Sequence, residues 1–172
     1  MRSADPADSL GSRLPGRLMR GARTLAELRA TSAVRSAGHP DARMVVSPLG
    51  LAQAGGGFGL RTRDLWKLGQ LYLDGGRYGG KQLIPAEWVQ RSINAQAMAR
   101  EDADYGCLWW LMKISYGDAT ITVPTMAGTG GNAVFLLPKM HAVVVITTTN
   151  YNERQPHMLT FKLLTHDLLP AL

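Results

Sequence analysis

Two apolar runs near the end of the chain carry its clearest pattern. Every position is apolar from Ala133 to Leu137 and again from Ala142 to Ile146. Such runs are typical of strands covered on both faces, either in a parallel sheet or at the centre of a sheet packed against helices. The break between them is short and begins with Pro138, which suits a tight antiparallel connection and not a crossover. We therefore predict the middle of an antiparallel sheet here.

A glycine-rich stretch comes directly before the first apolar run. At a strand edge, glycines let backbone amides face a ligand without a side chain in the way. The same glycines also suit a tight turn or a bulge, and the pattern leaves both interpretations open. The candidate substrate-binding residues are Met126, Ala127, Gly128, Thr129, Gly130, Gly131 and Asn132.

Periodic apolar positions further upstream predict a helix. Thr62 is a candidate N-cap, and Asp64 lies in the first turn, where a carboxylate opposes the positive end of the helix. Gly75 and Gly76 are typical of a helix C-terminus. The predicted apolar stripe consists of Leu65, Leu68, Leu71 and Tyr72.

Two further helices are predicted. Pro85 suits the first turn of a helix that runs to Ile93, and residues 94–104 then form a solvated connection or a loose helix. The last helix is expected between Pro156 and Leu169. Its apolar face is predicted to contain Met158, Phe161, Leu164 and Leu168, with Leu169 beside them.

Two more strand patterns lie between the second and the last helix. The segment Tyr105–Ile114 predicts a strand in which the adjacent Trp109 and Trp110 face opposite sides, with core packing favoured over ligand stacking. A turn at Tyr116–Asp118 leads to Thr120–Val123, whose alternation is typical of a half-exposed strand. Together the elements predict an α+β fold, an antiparallel sheet covered by helices.

Composition agrees with one globular domain. The chain has 172 residues, of which 45% are hydrophobic and 19% charged, enough for one domain with a core. No apolar run reaches the roughly 20 residues of a transmembrane helix, so no membrane span is expected. Cys107 is the only cysteine, which excludes an internal disulfide. The four histidines show no metal-ligand spacing, so neither a metal nor another cofactor is expected.

Positive charge is concentrated at the start of the chain. Residues 1–43 hold eight arginines against four acidic residues, which accounts for +4 of the net charge of +6. The charge therefore belongs to a tail, and no nucleic-acid surface is predicted. Residues 1–42 also lack the continuous apolar stretch of a secretory signal. We predict that residues 1–42 form a basic, disordered extension and residues 43–172 the folded part.

Four stretches carry a further signal because they occur together in a fixed order. They are Gly55–Val89, Tyr105–Trp110, Gly128–Asn132 and Val143–Asn152. In this order they resemble the late part of serine hydrolases related to class C β-lactamases and penicillin-binding proteins, a family that includes carboxypeptidases, esterases and 6-aminohexanoate-dimer hydrolases. The resemblance implies the C-terminal part of a β-lactamase/transpeptidase-like fold. It also implies hydrolysis of a small amide or ester through an acyl-serine.

Two catalytic motifs of that family are missing from the sequence. The family's nucleophile is a serine followed three residues later by a lysine, which can take the hydroxyl proton. No serine here has a lysine at that spacing; Ser32 has Arg35 there, and a guanidinium stays protonated and is a poor base. No tyrosine has an asparagine two positions on. We therefore assign no catalytic residue and expect the chain alone to be inactive.

The family's third motif, a Lys/His-Thr/Ser-Gly box on a strand edge, is present in altered form. It falls on Met126–Gly128, or on Gly128–Gly130 if the register slips, and the cation is missing in both cases. The remaining glycine amides can line an oxyanion hole, as the resemblance implies. The alternative function is a non-catalytic module that binds a peptide or a cell-wall fragment.

Two expectations concern the surroundings of the protein. The resemblance leaves the location undetermined, although members of the family are often exported. If residues 133–137 and 142–149 lack their usual cover, exposed faces or edges of these strands favour self-association.

Overall fold

The computed structural model describes residues 43–44 and 58–172. They belong to two units, the first ending at Leu60 and the second spanning Arg61–Leu172. In the first unit, β1 (Arg43–Met44) pairs antiparallel with β2 (Phe58–Gly59). The predicted extension at residues 1–42 lies outside the described residues, and the predicted boundary after it stays a prediction.

A six-stranded antiparallel sheet forms the centre of the second unit, with the strand order β10-β9-β8-β7-β6-β5. Consecutive strands are therefore neighbours, and the turn predicted near Tyr116–Asp118 joins β7 to β8, with Gly117 at φ 58°. The strands are β5 (Ala97–Arg100), β6 (Ala103–Tyr105), β7 (Trp110–Tyr116), β8 (Ala119–Gly128), β9 (Asn132–Leu137) and β10 (Ala142–Ile146).

The two apolar runs form β9 and β10, and they pair antiparallel as predicted. A 3-10 turn at Pro138–Met140 and a left-handed His141 connect them. Within β9, every residue from Ala133 to Leu137 is buried, whereas all five residues of β10 are only half-buried. Among the described strands β9 lies inside the sheet and β10 at its end, whereas both were predicted in the middle. An apolar run shows that both faces are covered, but it does not show whether the edge is paired.

The loose connection predicted for residues 94–104 is wrong, because this segment contains β5 and most of β6. The ladder from β6 to β7 holds these strands in place, with Asp104 opposite Leu111. Local composition is poor in β-branched residues here, and cross-strand pairing overrides it.

The single strand predicted for residues 105–114 is broken by a loop at residues 106–109. Gly106 lies so close to the Ser92 carbonyl that a Cβ on this glycine would overlap with it. Leu108 adopts φ 67°, which a strand does not tolerate. The loop therefore leaves the sheet before β7 begins.

Helix α1 (Thr62–Leu73) packs on β9 and β10. Its N-cap is Arg61, one residue before the predicted Thr62, and the Asp64 carboxylate accepts a hydrogen bond from the Arg61 N–H at 3.1 Å. The Thr62 hydroxyl instead pairs with the Thr147 hydroxyl at 3.0 Å. The acidic residue of the first turn was thus correctly placed, and it caps the helix through the backbone.

A short hairpin connects α1 to α2 (Ala86–Ser92). It consists of β3 (Arg77–Tyr78) and β4 (Lys81–Gln82). Pro85 is the N-cap of α2, one position before its predicted place. Among the described residues, no helix is long and apolar enough to cross a membrane.

The main core lies on the face of the sheet away from α1. It is closed by α3 (Met158–Lys162), a π-helical turn (Leu163–Leu168) and a 3-10 turn (Leu169–Ala171). The predicted helix is present, but its predicted apolar face is partly wrong, because Met158 is 66% exposed. The π-helical turn holds extra residues, and the fully buried apolar positions of the segment are Leu164 and Leu169.

Candidate substrate-binding edge

The seven predicted site residues are contiguous in space and span the end of β8, one turn and the start of β9. Met126, Ala127 and Gly128 are the last three residues of β8. Residues Thr129–Gly131 form that turn, and Asn132 begins β9 opposite Gly128.

Packing requires glycine at two of these positions. Gly130 and Gly131 have φ 80° and φ 86°, a region that L-residues with side chains rarely adopt. A Cβ on Gly130 would lie 2.7 Å from the Tyr151 ring, and a Cβ on Gly131 would overlap with the Pro156 carbonyl. Both glycines are buried. They are present for a structural reason, as one of the two sequence interpretations proposed.

Groups that follow β10 in the chain hold the carbonyls of the turn. The Asn150 N–H donates to the Gly130 oxygen at 3.2 Å, and the Thr148 hydroxyl donates to the same oxygen. The Thr160 hydroxyl, which is buried, donates to the Gly131 oxygen at 2.5 Å. The turn is therefore fixed from the inside of the molecule.

The Asn132 side chain ties the turn to the segment after β10. Its amide nitrogen donates to the Thr129 carbonyl at 2.8 Å. Its amide oxygen accepts a hydrogen bond from the Thr148 N–H at 3.0 Å. The amide thus donates one hydrogen bond and accepts another inside the fold, so Asn132 positions the turn.

Hydrogen-bond alternation in the sheet determines to which neighbouring strand the backbone N–H and C=O groups of each residue are directed. A residue is said to face the strand to which these backbone groups point. In an antiparallel ladder, successive residues direct their N–H and C=O groups to opposite neighbours. The Lys113 N–H donates to the Asp102 carbonyl at 2.9 Å, so odd-numbered residues of β7 face β6. Trp110, three positions earlier, therefore faces β8, where it lies opposite Thr125.

This alternation leaves the backbone of Ala127 at an open edge. The ladder between β7 and β8 ends at Thr125. Met126 and Gly128 face β9, with which they are in register, and Ala127 faces the opposite side. Within residues 58–172 no strand pairs with Ala127 on that side. Its N–H and C=O groups are thus directed to where a further extended chain would lie.

Gly128 differs from the other two glycines because the described fold does not require it. Its φ of −116° suits any residue. A Cβ at this position would meet only Asn132, at ordinary distances of 3.7 Å from its Cβ and 3.9 Å from its carbonyl oxygen. The residue is exposed. A strand glycine without an internal reason is typical of a place that a ligand or another backbone approaches closely.

Two large exposed side chains near this edge were missed by the sequence analysis. If β7 began two residues earlier, Leu108 would pair with Ala127. Its positive φ keeps it out of the ladder, and its side chain is 78% exposed. Tyr151 lies against Gly130 and is 59% exposed. A positive φ at leucine has no sequence signal, since propensity argues against it.

The two tryptophans face opposite sides of the chain and pack as predicted. Trp109 is fully buried and contacts the Tyr72 ring edge-on at 4.9 Å. Trp110 packs against the main core and contacts the Tyr105 ring at 4.9 Å. The Arg100 guanidinium lies 5.4 Å from the Trp110 ring centroid. Both indoles are structural.

The edge itself is electrically neutral, because none of its seven residues titrates. Of the described serines, Ser92 is fully buried and donates to the Val89 carbonyl at 2.9 Å, and Ser115 is exposed on β7. In the described part of the chain, no three His, Cys, Asp or Glu side chains are grouped to hold a metal ion. The described edge can therefore bind a ligand through backbone hydrogen bonds and complementary shape.

Helices covering an antiparallel sheet define an α+β fold, and comparison with known proteins specifies it. No family model matches the chain, and no curated protein matches it significantly. Among solved structures it is similar to a Bacillus anthracis protein assigned as a 6-aminohexanoate-dimer hydrolase, with a TM-score of 0.65 and 22% sequence identity. The match covers 99% of this chain and 47% of that chain, so this chain spans less than half of that protein's length. At this identity the likeness shows the fold, which is β-lactamase-like.

Proposed function

We propose that this chain is the C-terminal portion of a β-lactamase-like serine hydrolase and supplies one wall of its substrate cleft. The observation that supports the proposal best is Gly128, an exposed glycine with no internal requirement, next to the outward-facing backbone of Ala127. An extended substrate can add to such an edge as a further strand, with its main chain bonded and its side groups in flanking pockets.

Each part of the edge has a defined role in this proposal. The Ala127 N–H donates to a substrate carbonyl, and the Ala127 C=O accepts from a substrate amide. Gly128 leaves room for the substrate backbone. The amides of Thr129–Gly131 are the candidates for an oxyanion hole, and the internal anchoring of their turn preorganises them. The bonding groups are neutral, which suits an amide or an ester.

The chemistry of acyl transfer needs a nucleophile and a base that this sequence lacks. We therefore expect the chain alone to bind an amide substrate without turnover, and a Ser-x-x-Lys pair to come from other polypeptide. The fold similarity supports this assignment, because the similar protein is assigned as a hydrolase and extends well beyond the matched region.

The test is a titration of the 15N-labelled chain with a peptidoglycan stem peptide, followed through the Ala127 amide resonance. We expect micromolar affinity. Substitution Gly128→Val places a branched side chain where the substrate backbone passes, and it should weaken binding by about tenfold or more. Thr122→Val, at another exposed position of β8, is the matched control and should bind as the wild type does.

Two results would contradict the proposal. Equal binding by Gly128→Val and the wild type would remove the edge as the binding site. A covalent adduct of a fluorophosphonate or penicillin probe on any serine, detected by intact mass, would show that the nucleophile is present after all.

A non-catalytic binding module is the second candidate function. The anchored turn favours it, because groups of this chain hold the candidate edge while the family's Ser-x-x-Lys motif is missing from the sequence. The two functions differ when a polypeptide with the family's Ser-x-x-Lys half is added. The hydrolase portion should then support acylation, whereas a module should bind peptide as before and stay unlabelled.

Self-association through exposed strands belongs to the same proposal. A sheet that carries only part of a fold keeps unpaired edges, and such edges pair with other chains.

A further inference from the structure

Among the described strands, β10 ends the sheet with an apolar edge. Its five residues, Ala142–Ile146, contain no charge and no proline, and its register with β9 is continuous. Natural proteins protect edge strands with charges, prolines, bulges or a covering element. None of the first three devices is present on β10.

The opposite end of the sheet is protected in two ways. The register of β5 shifts between Met98 and Arg100, which interrupts regular pairing. Arg100 and Asp102 form an exposed ion pair at 2.5 Å beside this strand. A second copy placed along β5 would meet an irregular strand that carries charged side chains. Of the two ends, only β10 offers a regular and uncharged edge.

The faces of β10, in contrast with its edge, are already occupied. On one face, α1 lies so close that a Cβ on Gly69 would be 2.5 Å from the Val143 side chain. On the other face, Ala142, Val144 and Ile146 pack against the main core. What β10 lacks within the described residues is therefore backbone hydrogen bonds, and a strand can supply them.

Alternation determines which backbone groups are unpaired. Phe135 and the other odd-numbered residues of β9 face β10, so Val144, the partner of Phe135, faces β9. Val143 and Val145 consequently direct their N–H and C=O groups outward. A twofold axis at Val144 places Val143 opposite Val145 of a second copy. The outward N–H groups of these two residues then meet the outward C=O groups of the other copy.

We propose that β10 pairs antiparallel with β10 of a second copy of this chain and forms a closed, twofold homodimer. The edge is self-complementary in hydrogen bonding and carries no charge that would repel its own copy. A twofold contact uses the same surface on both subunits and ends assembly at two, whereas pairing β10 with another edge would continue into a filament. This inference rests on the self-association included in the proposed function, to which it adds the strand and the symmetry, and it needs no substrate.

The test is sedimentation equilibrium on the full 172-residue chain. Val145→Pro removes an outward N–H and leaves the bonds to β9 intact, because proline is tolerated at the free side of an edge strand. Val145→Thr keeps the N–H and a similar shape, and it is the matched control. We expect dimers for the wild type and Val145→Thr, and dimerisation weakened by about tenfold or more for Val145→Pro.

A second measurement covers the case in which Val145→Pro fails to fold, as judged by circular dichroism. In the wild type, protection of the Val143 and Val145 amides against hydrogen exchange should increase with protein concentration. A monomeric wild type at about 100 µM, a concentration that suffices for weak specific dimers, would overturn the proposal. Concentration-independent protection would also overturn it, since another segment of the same chain would then cover the edge. So would larger assemblies that Val145→Pro leaves unchanged.

Discussion

Gly128, Gly130 and Gly131 look alike in the sequence, yet only two of them are required by their surroundings. Gly130 and Gly131 combine positive φ with close approaches to Tyr151 and Pro156. Gly128 has an ordinary φ, and a Cβ there would make only ordinary van der Waals contacts. The comparison separates glycines that shape the turn from one that leaves the surface free.

Substitution Gly131→Ala should therefore lower the free energy of unfolding by at least about 2 kcal/mol, because it adds a left-handed strain and a collision with the Pro156 carbonyl. Gly128→Ala should change it by less than about 0.5 kcal/mol. Urea unfolding monitored by tryptophan fluorescence measures both values. Equal effects of the two substitutions would show that the turn is not held as described.

At the scale of elements, the contact between α1 and β10 depends on one small residue. Gly69 is buried in the middle of α1, and a Cβ there would lie 2.5 Å from Val143 and 3.1 Å from Val134. Helix propensity favours alanine at this position by about 1 kcal/mol. Close packing against a short and stiff valine opposes that gain.

We expect Gly69→Ala to destabilise the protein by about 1–2 kcal/mol, since overpacking outweighs propensity. Val143→Ala opens space under the helix and should make the added methyl group acceptable. The double variant should thus be more stable than the sum of the two single effects, by a coupling energy of about 1 kcal/mol. Additive effects in thermal unfolding would contradict a direct contact.

The elements with the strongest periodic or apolar patterns were predictable from the sequence. These are α1, β9 and the turn before β8, where local pattern and tertiary packing agree. The strands β5 and β6 were not predictable, because pairing with β7 and not their own composition makes them strands. Nor was the edge position of β10, which depends on the order of strands.

The sequence predicted which stretch forms the candidate site. It did not predict which residues of that stretch hold the turn and which are directed to a ligand. Sequence alone marks the glycines, but it cannot separate a glycine held by Tyr151 from one that is free. The outward direction of Ala127 follows from ladder alternation across three strands. It depends on where β7 ends, and a positive φ at Leu108 decides that point.

At the scale of the whole molecule, the sheet has a protected interior and two different ends. β9 is the strand with continuous burial, whereas all four residues of β5 are exposed. Local stability should follow this arrangement.

Native-state hydrogen exchange measured by NMR checks the arrangement residue by residue. We expect the slowest exchange in β9 and fast exchange in β5. Within β8, the Met126 amide, bonded to β9, should be protected while the neighbouring Ala127 amide exchanges fast. Equal protection of these two amides would show that the edge at Ala127 is covered.

The anchoring of the turn has a consequence for how the chain can be shortened or fused. All six strands of the sheet are complete at Ile146, yet the groups that fix the turn belong to Thr148, Asn150 and Thr160. A version cut after β10 would keep every strand and lose the conformation of the binding edge. The segment after Ile146 therefore holds the turn in its conformation. A tag should be added after Leu172 and should not replace this segment.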